Sequence, residues 1–189
     1  GIRYQDNEGQ QALCHTTSWG VSTRLIGGVI MTHGDDDGLR VPPAIAPHQI
    51  VILPMLREDD GDEALLAYCE DLRRALAGQT ALGEPIRVLL DKRAGKATQK
   101  RWAWVKKGVP IRIEVGPRDI EQGAVFMARR DRGAKDKQAM PRDQFVQGCA
   151  ALLQEIQDGM FARAAAFREQ SPSLRPGVRG HSAGRQAAT

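Results

Sequence analysis

Apolar positions from residue 48 onward alternate between strand-like and helix-like spacing. Residues 49–53 form a short continuous apolar run, which is typical of a strand covered on both faces. Residues 62–77 then carry leucines and a cysteine at helical spacing, with charged residues on the opposite side. The same patterns predict four further elements: strands at 86–90, 109–115 and 124–129, and a short helix at 98–107.

The order of these elements predicts how the strands pair. The first three strands are separated by crossovers long enough to make them parallel neighbours, whereas the short turn at 116–123 makes the fourth antiparallel to the third. A long helix over 142–169 closes the pattern, with its apolar stripe formed by Phe145, Cys149, Leu152, Ile156, Met160 and Phe167. The prediction is a small three-layer α/β domain.

The beginning of the chain has a different pattern. Residues 1–13 predict two strands joined by a turn at 6–9, a hairpin too small to be stable alone. A polar segment at 16–20 then leads into apolar residues at helical spacing, so Arg24 is expected in the first turn of a helix. These apolar residues are Val21, Leu25, Ile26, Val29 and Ile30.

This first helix is a candidate site for an anion. Gly20 permits close approach of a ligand, Ser22 offers a hydroxyl, and a helix N-terminus favours negative charge. The guanidinium of Arg24 suits two phosphate oxygens. The spacing alone fits a second interpretation equally well, in which the helix is buried and its arginine pairs with a carboxylate.

Residues 34–47 are rich in glycine, proline and aspartate, which is typical of a connection between domains. Asp35, Asp36 and Asp37 are possible metal ligands, but neighbouring residues rarely converge on one ion, so a solvated turn is the preferred interpretation.

Two stretches in the part of the chain from residue 48 onward could contact nucleic acid. In the strand at 109–115, alternation places Arg112 and Glu114 on the face opposite the apolar residues, free for a partner or paired with each other. A basic run over 92–101 is followed by Trp102 and Trp104, which could bind an RNA backbone and stack a base. For Trp104 a place in the core is the preferred interpretation.

The composition limits the size of the core, the kind of partner and the cellular setting, but it does not indicate an activity. The 189 residues can bury one core, and the net charge of +4 with pI near 9.2 permits an acidic partner such as RNA. Three widely spaced cysteines indicate neither a disulfide framework nor a zinc site, which favours a reducing, cytoplasmic setting. No apolar segment is long enough for a membrane span, and no signal-peptide pattern is present, so no membrane partner is expected.

Two longer motifs carry a resemblance to a known family. Residues 17–28 (Thr-Ser-Trp-Gly-Val-Ser-Thr-Arg-Leu-Ile-Gly-Gly), with 31–36 and 38–43, resemble motif 3 of prolyl-tRNA synthetases of the archaeal and eukaryote-like type. The stretches 107–110, 112–114 and 116–119, followed by 129–131, resemble the anticodon-binding domain of the same class II ligases. The β-α-β-α-β-β-α order is similar to the class IIa anticodon-binding domain.

The first motif implies a nucleotide site. By resemblance Arg24 would hold ATP and act as the catalytic residue of this segment, with Ser22 and Thr23 also in the ATP site. Trp19 and Gly20 would line the pocket for proline and its adenylate. The complete enzyme would use ATP and Mg²⁺, without zinc, to attach proline to tRNA, and it would be a homodimer. The other two class II motifs would lie upstream, so the 189 residues alone are expected to be inactive.

The second motif implies recognition of tRNA. By resemblance Arg112, Arg118, Asp119 and Lys135 would contact the guanines of a UGG anticodon in tRNA-Pro. Arginine can bind guanine O6 and N7, and a carboxylate can accept its N–H groups. One departure is Val105, which stands where the family usually has a glutamate, so discrimination at one base is expected to be relaxed.

The implied organisation has four parts: residues 1–40 as the end of a class II catalytic domain, 41–47 as a linker, 48–170 as the anticodon-binding domain and 171–189 as a disordered tail. Two alternatives to a ligase segment stay open. One is a free-standing, non-catalytic module that binds tRNA or protein, and the other is a decaying copy without activity.

Overall fold

Fourteen elements are present in the computed structural model, which describes residues 1–56, 63–93, 95–133 and 136–170. The strands are β1 (Arg3–Gln5), β2 (Gln11–Leu13), β3 (Ile50–Pro54), β4 (Thr80–Ala81), β5 (Glu84–Pro85), β6 (Val88–Leu90), β7 (Ile111–Val115), β8 (Ala124–Arg129) and β9 (Lys137–Pro141). The helices are α1 (Arg24–His33), α2 (Glu63–Ala77), α3 (Ala97–Lys107), α4 (Pro117–Glu121) and α5 (Arg142–Gln170).

The central sheet has the strand order β6-β3-β7-β8-β9. Strand β3 pairs in parallel with both β6 and β7, so that Ile50 lies opposite Val88 on one side and Ile111 on the other. Strand β8 runs antiparallel to β7, with Glu114 opposite Phe126. The predicted parallel trio and the antiparallel fourth strand are therefore confirmed, because a helix crosses between parallel strands whereas only α4 and a tight turn separate β7 from β8.

One face of the sheet forms the main core. Alternate residues of β3 and β7 point to this face and pack against α2 and α5, which lie side by side over it. The helices contribute Leu65, Cys69, Leu72 and Leu76 from α2, and Phe145, Cys149, Leu153, Ile156 and Met160 from α5. Full burial of each large side chain contributes roughly 1.5–3 kcal/mol, so this layer is the main stabilising element.

The opposite face is covered by α3 next to β3. Trp104 is 6% exposed and packs with Val51, Leu53 and Val109 in a second, smaller cluster. Its indole Nε1 donates a hydrogen bond of 2.7 Å to the carboxylate of Asp91. The expectation that Trp104 belongs to the core is confirmed, and helices lie on both faces of the sheet as predicted.

Several local expectations were wrong or incomplete. Strand β9 was missed because Lys-Gln-Ala-Met-Pro has no apolar run, and the β4–β5 hairpin was missed because each strand has two residues. The turn at 116–123 contains the short helix α4, whose Pro117 stands at the first helical position. On α5 the buried leucine is Leu153, and Phe167 is 64% exposed because the helix extends past the sheet.

The connection before β3 is hydrogen-bonded to the sheet domain that follows it. Leu39 and Val41 donate backbone hydrogen bonds of 3.0 and 3.1 Å to the carbonyls of Lys106 and Gly108, at the end of α3. Gly108 has φ +74°, and a Cβ there would lie 2.7 Å from the backbone of Leu39, so this approach requires glycine. Pro42 and Pro43 are buried beyond it. Residues 39–43 are therefore part of the packed structure.

The first region contains the predicted hairpin and the predicted helix. Strands β1 and β2 pair with each other through three residue pairs, and α1 begins at Arg24. No residue of α1 is buried, and Leu25 and Ile26 are more than half exposed. The interpretation of α1 as a buried helix is therefore wrong. Within the described ranges, no helix is both long enough and apolar enough to cross a lipid bilayer.

Candidate nucleic-acid interface

Arg112 and Glu114 lie on β7 and point to the α3 side of the sheet. They are 5% and 7% exposed, so all five residues of this strand are buried. The sequence left two interpretations of this face open, contact with a partner or ion pairing within the chain. The ion pairs of Glu114 with Arg112 and with Arg101 of α3 agree with the second interpretation. Helix α3 covers this face, and charged side chains from α3 and from the edge strand β9 reach it.

Glu114 is the centre of a cluster of four charged side chains. Its two carboxylate oxygens each accept a hydrogen bond of 2.8 Å from Arg101 of α3 and one of 2.9 Å from Nζ of Lys137 of β9. Arg112 Nε donates a third interaction at 3.3 Å. We call Arg101, Arg112, Glu114 and Lys137 the Glu114 cluster. Three cations and one carboxylate leave it with a net charge of +2, which attracts anions and other acceptors.

The protonation of this cluster follows from its burial and its bonds. Burial alone would raise the pKa of Glu114, but hydrogen bonds from Arg101 and Lys137 outweigh it and hold the pKa below its ordinary value. Burial lowers the pKa of Arg112, and the nearby charge of Glu114 opposes that shift. The Nη2 atom of Arg112 is buried and has no hydrogen-bond partner among the described residues. The cluster therefore retains an unused donor.

Arg118 and Asp119 lie just beyond β7, at the start of α4. Asp119 Oδ2 accepts a hydrogen bond of 2.7 Å from the backbone N–H of Gly116, and this bond fixes the beginning of the helix. Arg118 is exposed and forms no ion pair with another described residue. The two side chains therefore differ: one shapes the turn, and the other is free to contact a ligand.

Phe126 adds an aromatic surface beside the cluster. It lies opposite Glu114 on β8, is half-buried, and has Nζ of Lys137 at 5.5 Å from its ring centre. An aromatic ring beside cations is the combination that binds unstacked bases and their phosphates. Sequence reasoning did not select Phe126 or Lys137, and it included Arg101 only in the basic run 92–101 that could bind an RNA backbone. Lys135, which it did select, lies outside the described residues.

The residues assigned to a nucleotide site are together at the start of α1. Helix α1 begins at Arg24, with Thr23 as its N-cap residue and Ser22 before it. All three are exposed, and Thr23 makes no side-chain cap to the helix. Arg24 forms no ion pair with another described residue. Trp19 is 93% exposed and Gly20 is exposed beside it. These five residues are therefore all exposed in the described part of the chain.

The residues that the structure describes include no group of three or more His, Cys, Asp or Glu side chains that could hold a metal ion. The three cysteines are free, with Cys69 and Cys149 buried in the core. Burial raises the pKa of each of these two thiols to about 12, so they are not poised to bind metal as thiolates.

Asp35 has a role that the sequence did not indicate. Its carboxylate accepts two hydrogen bonds from Arg130, whose side chain is 4% exposed, and forms an ion pair of 2.6 Å with Arg40. The hydrogen bond from Arg130 is the largest cause that lowers the pKa of Asp35 to about 2. The expectation of a solvated turn was therefore wrong for Asp35. This side chain joins the end of α1 to the sheet domain.

Comparison with known proteins identifies the family. The family described as "Anticodon binding domain" matches residues 49–152, which is more than half of the chain. The chain belongs to the anticodon-binding domain family. The matched range begins at β3 and ends within α5, so it includes the whole central sheet of this anticodon-binding domain.

The similarity to known proteins extends beyond residues 49–152. The chain is 62% identical over 175 residues to a proline–tRNA ligase of Novosphingobium aromaticivorans and 49% identical over 170 residues to one of Bdellovibrio bacteriovorus. A solved prolyl-tRNA synthetase of Cryptosporidium parvum, complexed with L-proline and AMP, matches 89% of the chain with a TM-score of 0.77 and 35% identity.

The alignment also shows which part of these relatives is represented. The match covers 89% of this chain but 34% of the Novosphingobium protein and 33% of the Cryptosporidium chain. The chain spans about a third of the length of the curated relatives it matches, and it corresponds to their C-terminal part. The resemblance to prolyl-tRNA synthetases and the expected α/β fold are confirmed.

Proposed function

We propose that this chain is the tRNA-recognising, C-terminal part of a proline–tRNA ligase. The observation that carries the proposal is the anticodon-binding domain at residues 49–152, in which Arg118 is exposed at the start of α4 and the Glu114 cluster has a net charge of +2. Such a surface suits the edges and phosphates of unstacked bases. In the complete enzyme it would select tRNA while the remaining domains attach proline.

Two groups of residues would divide the recognition of a UGG anticodon. Arg118 is exposed at the end of β7 and would bind guanine through O6 and N7, whereas Asp119 would accept from guanine N–H groups with Oδ1, since Oδ2 already bonds to Gly116. Arg112 would contribute its unused Nη2 donor. Lys135 stays in the proposal on the strength of its match to the family alone.

Residues 1–40 would contribute to the binding of ATP. Ser22, Thr23 and Arg24 stand at the N-terminus of α1 with an unpaired guanidinium and free hydroxyls, which suits the phosphates of ATP. Trp19 and Gly20 would border the site for proline and its adenylate, within the homodimer that the complete ligase would form. Because the described residues hold no cluster for Mg²⁺, no step is assigned to that ion here.

Replacing Arg118 with alanine tests the proposed base contact. We expect Arg118→Ala to lower the affinity for tRNA with a UGG anticodon about tenfold, because one bidentate contact to guanine contributes about 1–3 kcal/mol of discrimination. The affinity for a tRNA with an unrelated anticodon should change little. The measurement is equilibrium binding of both RNAs at one stated salt concentration.

Arg74→Ala is the matched control, because Arg74 is 71% exposed on α2 and is not among the residues proposed to contact the anticodon. It removes the same charge from a surface without a proposed base contact. Equal losses for Arg118→Ala and Arg74→Ala would show that only net charge matters. The unaltered chain can also be tested for proline-dependent exchange of ATP and pyrophosphate. If it prefers UGG but shows no such exchange, the result would support a binding role for these 189 residues.

A further inference from the structure

A cleft of about 530 Å³ separates the end of α1 from the last turns of α5, far along α5 from the start of that helix beside α4. Its walls combine apolar side chains, including Met31, Met160 and Phe167, with three arginines, Arg40, Arg163 and Arg168. None of the residues assigned to the anticodon or to ATP lines it. The cleft is therefore separate from the sites already described.

The charges around this cleft are poorly balanced. Arg163 forms no ion pair with another described residue, and the nearest partner of Arg168 is Glu169 at 3.8 Å, both side chains being 71% exposed. Arg40 shares its only described carboxylate, that of Asp35, with Arg130. The Nε atom of Arg40 is buried without a hydrogen-bond partner among the described residues.

One helix C-terminus offsets part of this positive charge. Helix α1 ends beside the cleft, and its C-terminus carries about −0.5 of an elementary charge. That charge is smaller than the charge of the three arginines, so the cleft stays positive. The effect is felt by His33 in the wall: burial lowers its pKa most, and the charge of Arg163 lowers it further.

The sequence that follows α5 has the same sign. Residues 171–189 include three arginines and one histidine but no aspartate or glutamate. Positive charge thus continues from the cleft into the end of the chain. An aromatic side chain next to it, Phe167, is 64% exposed between two of the arginines in sequence.

We propose that the α1–α5 cleft binds the phosphate backbone of RNA without reading its sequence. The proposal rests on the proposed function in that it takes tRNA as the RNA. Unbalanced arginines supply the attraction to phosphates, and the exposed ring of Phe167 offers a face to a sugar or base. The cleft adds affinity for any tRNA, whereas the Glu114 cluster and Arg118 supply the preference among anticodons.

The test uses the full 189-residue chain and two tRNAs, one with a UGG anticodon and one with an unrelated anticodon. Binding is measured at several salt concentrations for the wild type and for the double variant Arg163→Ala/Arg168→Ala. We expect the double variant to lose about tenfold in affinity for both RNAs and to lower the slope of log affinity against log salt by about 1.4–1.8, since each phosphate contact contributes about 0.7–0.9. The preference for UGG should be unchanged.

Two further variants keep the result interpretable. Arg163→Lys/Arg168→Lys preserves the charges and should retain most of the salt slope, because a lysine also neutralises a phosphate. Arg74→Ala, on α2, controls for loss of surface charge away from the cleft. Circular dichroism checks that each variant is folded.

The possible outcomes distinguish binding of RNA at the α1–α5 cleft from recognition of the anticodon. An alanine double variant with the wild-type affinity and salt slope would overturn the cleft proposal, even if UGG is preferred. A wild-type chain that binds both RNAs equally, with the expected loss in the double variant, would instead support the cleft and contradict anticodon recognition. Loss of UGG preference in the double variant would also overturn a sequence-independent role.

Discussion

Glu114→Gln is expected to lower the free energy of unfolding by about 4 kcal/mol, because it removes the only carboxylate of the Glu114 cluster. Arg112 is 5% exposed, and Arg101 and Lys137 are also held on this carboxylate. A neutral amide of the same size would leave three cations close together in a partly buried space. Urea unfolding of the variant and the wild type, at neutral pH, measures the difference.

Glu155→Gln is the matched control for this change. Glu155 also accepts from a buried arginine, Arg129, but it is 60% exposed, and Arg129 keeps Asp131 as a second partner at 2.9 Å. The expected loss is below about 1 kcal/mol, which is usual for an exposed ion pair. If both variants lost the same amount, the three buried cations around Glu114 would not be the cause of the larger loss expected for Glu114→Gln.

The second large effect is expected at Asp35. Asp35→Ala leaves the buried guanidinium of Arg130 without its carboxylate, and we expect a loss of about 3 kcal/mol, near the lower limit for breaking a buried ion pair because Asp35 is 24% exposed. Since Asp35 also follows α1 directly, hydrogen exchange in α1 should become faster. Thermal unfolding and amide exchange measure the two consequences.

Asp36→Ala provides the control, since Asp36 is exposed one residue away and forms no ion pair with another described residue. Its expected effect is within about 0.5 kcal/mol. A loss at Asp36→Ala as large as that at Asp35→Ala would show that the turn itself, and not the bond to Arg130, holds the connection.

The ion pair between Asp35 and Arg130 predicts that the stability of the fold depends on pH in the acidic range. In the folded chain the pKa of Asp35 is about 2, below the ordinary value of 3.8, mainly because of the hydrogen bond from Arg130. The ionised carboxylate therefore stabilises the fold fully above about pH 4, and this contribution is lost as the pH falls towards 2. The difference in stability between wild type and Asp35→Asn should shrink across that window.

The sequence predicted the elements that carry a clear period. The buried run of β3 and the stripe of α2 have no competing interpretation, so their type and approximate bounds were correct. Strand β9 could not be predicted in this way because its residues are mostly polar or small. It exists because its backbone pairs with β8 at the edge of the sheet, a tertiary contact that leaves no local pattern.

The candidate interface was predicted less completely for a related reason. Alternation placed Arg112 and Glu114 on one face, but their burial depends on α3 and β9, which come from distant parts of the chain. Arg101 was noted only as part of the basic run 92–101, and Lys137 gave no signal in the sequence because isolated cations are usually solvated. The bond between Asp35 and Arg130 joins residues 95 positions apart, beyond the reach of any local pattern.

The most direct test of anticodon recognition uses the unaltered chain. Two anticodon stem-loop RNAs are compared at one physiological salt concentration, the first with UGG and the second with both guanines replaced by adenine. Adenine presents a donor where guanine presents O6, so the two differ at the atoms that an arginine fork would bind. Each mismatch should cost about 1–3 kcal/mol, and we predict that UGG binds at least about tenfold more tightly. Equal affinity for the two RNAs would contradict the proposal that this domain selects tRNA by its anticodon.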